Sequence, residues 1–151
     1  MKKYFLFLLL IFHGCSPEEK IENPIAEKQI EEETPATIQT LLKLHNEQRE
    51  LKGRTGFELD SYLSDYAQKH SDWMAQKNTL RHSLINVLMG KYFFVGENIA
   101  WNQKTELEVV DAWMHSSGHR ANIMNRSYTK IGFGMSLNEK GELYWCTVFG
   151  G

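Results

Sequence analysis

The chain has 151 residues, 42% hydrophobic and 12% aromatic, which is enough for one domain with a packed core. Its formal net charge is -2, but the charge is uneven. Residues 16–36 carry seven Glu against Lys20 and Lys28, whereas residues 37–151 hold 13 Lys+Arg and 12 Asp+Glu. A folded part this close to neutral has no strong field to gather nucleic acid, so a nucleic-acid partner is not expected.

At the N-terminus, Lys2 and Lys3 precede the apolar run YFLFLLLIF, which is too short to span a bilayer as a helix. This is the form of a secretory signal peptide. Gly14 directly precedes Cys15, an arrangement similar to a bacterial lipobox. The expectation is a signal peptide over 1–14 and lipid on Cys15, with palmitate among its acyl chains. Phe12 and His13 stand where Leu and a small residue are usual; loose lipoboxes of this kind resemble those of spirochaetes. Residues 15–36 contain all three prolines and the acidic excess, which predicts a lipidated, flexible tether holding the domain off the membrane. The second cysteine, Cys146, then has no disulfide partner and is safest buried.

The folded domain is expected over 37–151. Ile38, Leu41, Leu42, His45 and Arg49 recur at helical spacing, with Gly53 as a stop. Asp60 can cap a second helix whose stripe runs through Leu63, Tyr66, Ala67, His70, Trp73 and Met74. The stretch SLINVLMGKY reads as a short helix or an irregular segment. Glu97, between Gly96 and Asn98, reads as lying where the backbone turns. Thr105 and Glu108 form a capping box ahead of Leu107, Val110, Trp113 and Met114. From Lys130 the period changes to two, giving two strands around Asn138-Glu139-Lys140-Gly141. The second strand is apolar on both sides and is expected to be central. Helices followed by an antiparallel hairpin predict an α+β domain.

His115 and His119 are four apart, the spacing that puts two imidazoles on one helix face in zinc proteases. The glutamate of that motif is missing and Gly118 disfavours one unbroken helix. His115 therefore reads as a helix-terminal surface residue, with Ser117 as a cap for a short following helix. His45 and His70 lie in helical stripes and read as packed core or boundary residues. No Ser-His-Asp set with a nucleophile elbow is present.

VGENIAW, VVDAWMHSSGHRANIMNRSYTKIGFGM and YWCTVFGG, in that order, resemble the CAP superfamily (the SCP domain of cysteine-rich secretory, antigen-5 and pathogenesis-related proteins). LLKLHNEQR and LDSYLSDYAQKHSDWMA are similar to the first two helices of that family, so the resemblance covers about residues 38 to 151. It implies an α-β-α sandwich with a small three-stranded antiparallel sheet between helical layers. It also implies a cleft with two histidines, His82 and His119, and the acid Glu97, which in some members holds a divalent metal. The second acid of the family falls where Ser116 and Ser117 stand here. One carboxylate fewer weakens metal affinity and removes a candidate general base, so no firm cofactor is expected and zinc at most weakly.

The resulting expectation is a monomeric lipoprotein of the spirochaete surface type, anchored to the outer membrane or cell surface. It would act as a non-enzymatic binding module for a lipid, a sterol or a host protein. The alternative is a metal-assisted hydrolase or protease using His82, Glu97 and His119. Trp101, Trp113 and Tyr144 could line an apolar pocket, but core packing is the preferred reading for them.

Overall fold

The computed structural model describes residues 24–151, with side chains described from residue 37 onward. The signal peptide and Cys15 lie outside the described residues. In chain order the elements are α1 (Pro24–Glu50), β1 (Glu58–Leu59), α2 (Ser61–Lys77), a 3-10 helix (Ile85–Leu88), β2 (Val95–Trp101), α3 (Glu106–His115), α4 (Ser117–Ile123), β3 (Lys130–Leu137) and β4 (Leu143–Gly150). Helix α1 starts at Pro24, so it takes in the second half of the segment read as a tether. Proline suits a first helical position, and glutamates in the N-terminal turns complement the helix dipole.

The other helices start where their caps allow. Asp60 accepts a hydrogen bond from Leu63 N–H and opens α2. Thr105 accepts from Glu108 N–H and opens α3, while the Glu108 carboxylate reaches back to Lys104 N–H at 2.7 Å. The uncertain SLINVLMGKY segment resolves into the 3-10 helix and a turn.

The sheet order is β1-β3-β4-β2. Strand β4 pairs antiparallel with β3 on one side and β2 on the other, so it is central, as its two-sided apolarity predicts. The three-stranded antiparallel sheet is present, with one addition. The two-residue β1 runs parallel to β3 at the open edge. A pairing of two residues leaves almost no periodic signal in the sequence.

Side chains of β4 alternate between two cores. Tyr144, Cys146 and Val148 join Leu63, Ala67 and Met74 of α2. Trp145 and Phe149 join Leu41 of α1, Val109, Val110 and Trp113 of α3, and Ile123 of α4. The result is the α-β-α sandwich. Helix α2 lies directly on β3: a Cβ at Gly132 would meet the Leu63 backbone at 2.2 Å, and one at Gly134 the Ala67 backbone at 2.3 Å. The alternating glycines of IGFGM therefore set the distance between helix and sheet.

Two charged or titratable groups are sealed into the α1 side. Arg49 is 3% exposed, its ring-facing guanidinium 4.0 Å from the Phe57 centroid. It donates to the carbonyls of Thr55, Ile123 and Asn125 at 2.6–2.8 Å, tying the end of α1 to the chain after α4. His45 is fully buried among Trp113, Phe133 and Phe149, and its Nδ1–H donates to Leu41 O at 2.7 Å. Both residues serve packing, as the helical stripe of the sequence indicates for His45.

Candidate functional site

Glu97 lies within strand β2, opposite Val148 of β4, not at a turn. The neighbouring glycine, which suggests a turn in the sequence, has another cause. A Cβ at Gly96 would stand 2.7 Å from the Tyr128 hydroxyl, so the strand needs glycine to pass that ring. Strand alternation then sends Glu97 and Asn98 to opposite faces. The Asn98 amide donates to His119 O at 3.1 Å, and the Asn122 amide bridges Asn98 Oδ1 at 2.9 Å and Glu97 O at 3.1 Å. Strand β2 thus holds α4, and with it His119, against the edge of the sheet.

The Glu97 carboxylate is enclosed, its side chain 2% exposed. Burying a carboxylate is costly unless its oxygens find donors, and here each one does. His82 Nδ1–H donates to Oε2 at 2.6 Å. Ser83 N–H donates to the same oxygen at 3.0 Å. The Cys146 thiol lies 3.8 Å from Oε1 and donates to it. Burial first, and the carboxylate second, push the Cys146 thiol well above its usual range, so it remains protonated and is no nucleophile.

His70 belongs to this cluster as well. Its Nε2–H donates to Arg81 O at 2.7 Å, the same nitrogen lies 4.0 Å from Glu97 Oε1, and its ring stacks on Trp73 at 5.7 Å. The sequence places His70 in the α2 stripe as a packed residue and gives no sign of its acidic neighbour. What could have flagged it is the spacing Tyr66, His70, Trp73, which forms one flank of α2 next to the buried stripe. Tyr66 donates to Ser83 Oγ at 3.1 Å, so that flank is bonded twice to the segment carrying His82.

His119 is half-buried, and its pKa lies below the usual value, first through burial and second through the nearby His82. It is therefore neutral at neutral pH. The structure brings His82 and Glu97 into direct contact, with His119 close enough to repel a charge on His82. Ser116 and Ser117 add no acid: Ser116 is the junction, its N–H donating to Ala112 O and Trp113 O and its carbonyl accepting from Arg120 N–H, and Ser117 is the exposed first residue of α4. The cap position of α4 is thus Ser116, one residue before the expected Ser117, because α3 ends and α4 begins on the same residue. His115 ends α3, largely exposed, and its Nδ1–H donates to Asp111 O at 2.9 Å. The apparent HSSGH pair is two unrelated residues.

A divalent metal does not fit this arrangement. Among the described residues, no group of three or more His, Cys, Asp or Glu side chains is placed to hold one. The reason is visible in the donor set: Glu97 spends its oxygens on His82, Ser83 and Cys146, and His82 spends Nδ1 on Glu97. Two imidazoles remain, and zinc sites use three or four protein ligands.

Beside His82 opens a recess of about 500 Å³ lined by Tyr66, His70, Trp73, Arg81, His82 and Leu84, among others. Trp73 is 38% exposed and Leu84 80% exposed, so large apolar surface faces solvent there. Of the aromatics named from the sequence, Trp113 and Tyr144 are buried core residues and Trp101 is 44% exposed at the end of β2.

The family model for CAP, the cysteine-rich secretory protein family, matches residues 42–149. The protein YkwD of Bacillus subtilis is 38% identical over 103 residues, covering 62% of this chain and 40% of its own length. The membrane protein YlbC of the same organism is 33% identical over 125 residues, 74% of this chain and 36% of its own length. The chain therefore spans well under half of these relatives. Among solved structures, an outer surface protein of Borrelia burgdorferi superposes with a TM-score of 0.68 at 21% identity, covering 74% of this chain and 90% of that one. An extracellular SCP-domain protein of Bacillus anthracis gives a TM-score of 0.65 at 26% identity, covering 77% and 40%.

Proposed function

Because the chain belongs to the CAP, or cysteine-rich secretory protein, family, we propose that it is an extracellular binding module, not an enzyme. The observation that carries this reading is the state of Glu97. Its carboxylate is buried and its oxygens are bonded to His82, Ser83 and Cys146, so it is a clamp between β2, β4 and the loop after α2. A general base needs a lone pair facing substrate, whereas this carboxylate is buried and both its oxygens already accept hydrogen bonds. The clamp instead fixes one wall of the recess, whose exposed Trp73 and Leu84 suit an apolar ligand such as a lipid or sterol, or an apolar side chain of a host protein.

The proposal extends to location. The apolar run before Cys15 and the acidic segment after it support a lipid-anchored domain on the bacterial outer membrane or cell surface. The surface and extracellular relatives support the same placement. Mass spectrometry of the protein from its own host tests the anchor: the expected result is a mature chain starting at acylated Cys15, abolished by Cys15→Ser. Extraction of bound lipid from the purified protein, with a panel of sterols and fatty acids titrated against tryptophan fluorescence, tests the ligand. Binding weakened by Trp73→Ala supports the recess as the site. A protein that carries none and binds none overturns lipid carriage and leaves a protein ligand for the recess.

One observation favours the hydrolase as a second reading. His82 is oriented by Glu97 while its side chain is 62% exposed, which is the carboxylate–imidazole half of a triad. No serine, threonine or thiolate nucleophile accompanies it in the contacts made by His82 and Glu97. A role for His82 would therefore require it to activate water.

A further inference from the structure

The segment from Leu84 to Phe94 exposes more large apolar surface than any other part of the described chain. Phe93 is 89% exposed, Leu84 80%, Val87 68%, Met89 56% and Phe94 54%. Core formation does not explain these side chains, since the segment supplies two other residues to the core: Leu88 and Tyr92 are 1% and 6% exposed. Those two anchor the loop, and the five outward residues are held up by it. An exposed cluster of this kind marks a docking surface.

Three further features define what covers it. First, no Asp or Glu occurs in the sequence from Trp73 to Gly96, while Lys77, Arg81 and Lys91 do, so the loop and its flanks carry only positive side chains. Asp60, which faces Lys91 from the start of α2, has a side chain only 13% exposed and is occupied with capping that helix. Second, the Lys91 ammonium lies 3.7 Å from the Tyr62 ring centroid, adding an amphipathic aromatic to the rim. Third, much of the loop's backbone is already bonded. The N–H groups of Val87, Met89, Lys91 and Tyr92 donate to carbonyls within the loop, and those of Phe93 and Phe94 donate to Gly151 O at 2.8 and 3.1 Å. Gly151 N–H returns a bond to Phe94 O at 3.0 Å. Apolar tips over an internally bonded backbone can enter hydrocarbon without stranding polar groups, whereas a strand-like partner would need those groups free.

We propose that residues 84–94 form a membrane-docking loop that seats the domain on an anionic lipid surface, with Leu84, Val87, Met89, Phe93 and Phe94 entering the interface and Lys91 and Arg81 meeting lipid phosphates. Apolar burial supplies depth, and the cations supply preference for negative lipid. The proposal is separate from the anchor at Cys15 and does not require it. Through this loop the recess beside His82, which shares Leu84, opens next to the bilayer.

The test uses the full chain with Cys15 unmodified, mixed with vesicles of phosphatidylcholine alone or with phosphatidylglycerol. Segment-resolved hydrogen exchange is measured, so that binding through the apolar N-terminal run is distinguished from binding through the loop. Slowed exchange across 84–94 on phosphatidylglycerol vesicles is the expected result. Co-sedimentation of the Phe93→Ser/Phe94→Ser variant falls about tenfold or more, Lys91→Glu weakens binding only to the anionic vesicles, and Leu137→Ser, an exposed apolar control, changes nothing. Unchanged exchange in 84–94 while the chain binds vesicles elsewhere, or no vesicle binding at all, overturns the proposal. Loss of a protein partner in the double serine variant, with vesicle binding intact, also overturns it and assigns the surface to that protein.

Discussion

The histidines show how one residue type takes separate roles. His45 sits in the aromatic core with Nδ1 bonded and Nε2 buried without a partner. Burial lowers its pKa from 6.5 to about 4, with the Leu41 bond opposing only in part. A pKa lowered on folding means that the neutral form favours the native state. The contribution is complete above the unfolded value of 6.5 and is lost as pH falls through about 4. The full effect is about 3 kcal/mol, at roughly 1.4 kcal/mol per unit. Denaturant unfolding at pH 7 and pH 4 should show this loss, and His45→Leu should remove that part of the pH dependence. At the cleft, zinc titrated by calorimetry at neutral pH should give no tight stoichiometric binding, because the Glu97 carboxylate is taken up by His82 and Ser83 and only imidazoles are left to hold the metal. Tight binding abolished by His82→Ala would show that the cluster rearranges to take metal.

Helix α2 is the element on which both the fold and the site depend. One face packs Leu63 and Ala67 onto the glycines of β3, and the adjacent flank presents Tyr66, His70 and Trp73 to the recess. Gly134→Ala should destabilise the protein by about 2–3 kcal/mol, since the added methyl meets helix backbone and not a movable side chain. Thermal unfolding measures the loss, and the recess should lose ligand affinity with it. Much of this element was legible in the sequence: the Asp60 cap, the apolar period and the central, two-sided β4 all read directly. Strand β2 did not, because Glu97 and Asn98 interrupt its apolar pattern and Gly96 imitates a turn. The packed boundary place of His70 was legible too, but its neighbour Glu97 was not. Periodicity tells which side of a helix is buried, but not which loop later folds against that side. The meeting of His82 with Glu97, by contrast, came only from resemblance to known motifs, since 15 residues and a change of element separate the two.

At the scale of the whole molecule, the sheet separates two cores, and the candidate site sits on the α2 side at the β2 edge. The same side carries the recess and the exposed loop 84–94, while the opposite face holds the aromatic core under α1 and α3. This one-sided arrangement suits a domain that meets its partners along one edge. It also separates the two functional readings, because a binding module needs only the fixed wall that Glu97 provides, whereas a hydrolase needs His82 to act on substrate. The most direct measurement is a hydrolysis screen of peptide and ester substrates with the purified full chain beside His82→Ala and Glu97→Gln. A binding module gives no turnover that distinguishes the parent from either variant. Turnover by the parent that both variants lose would contradict it and make the cleft an active site.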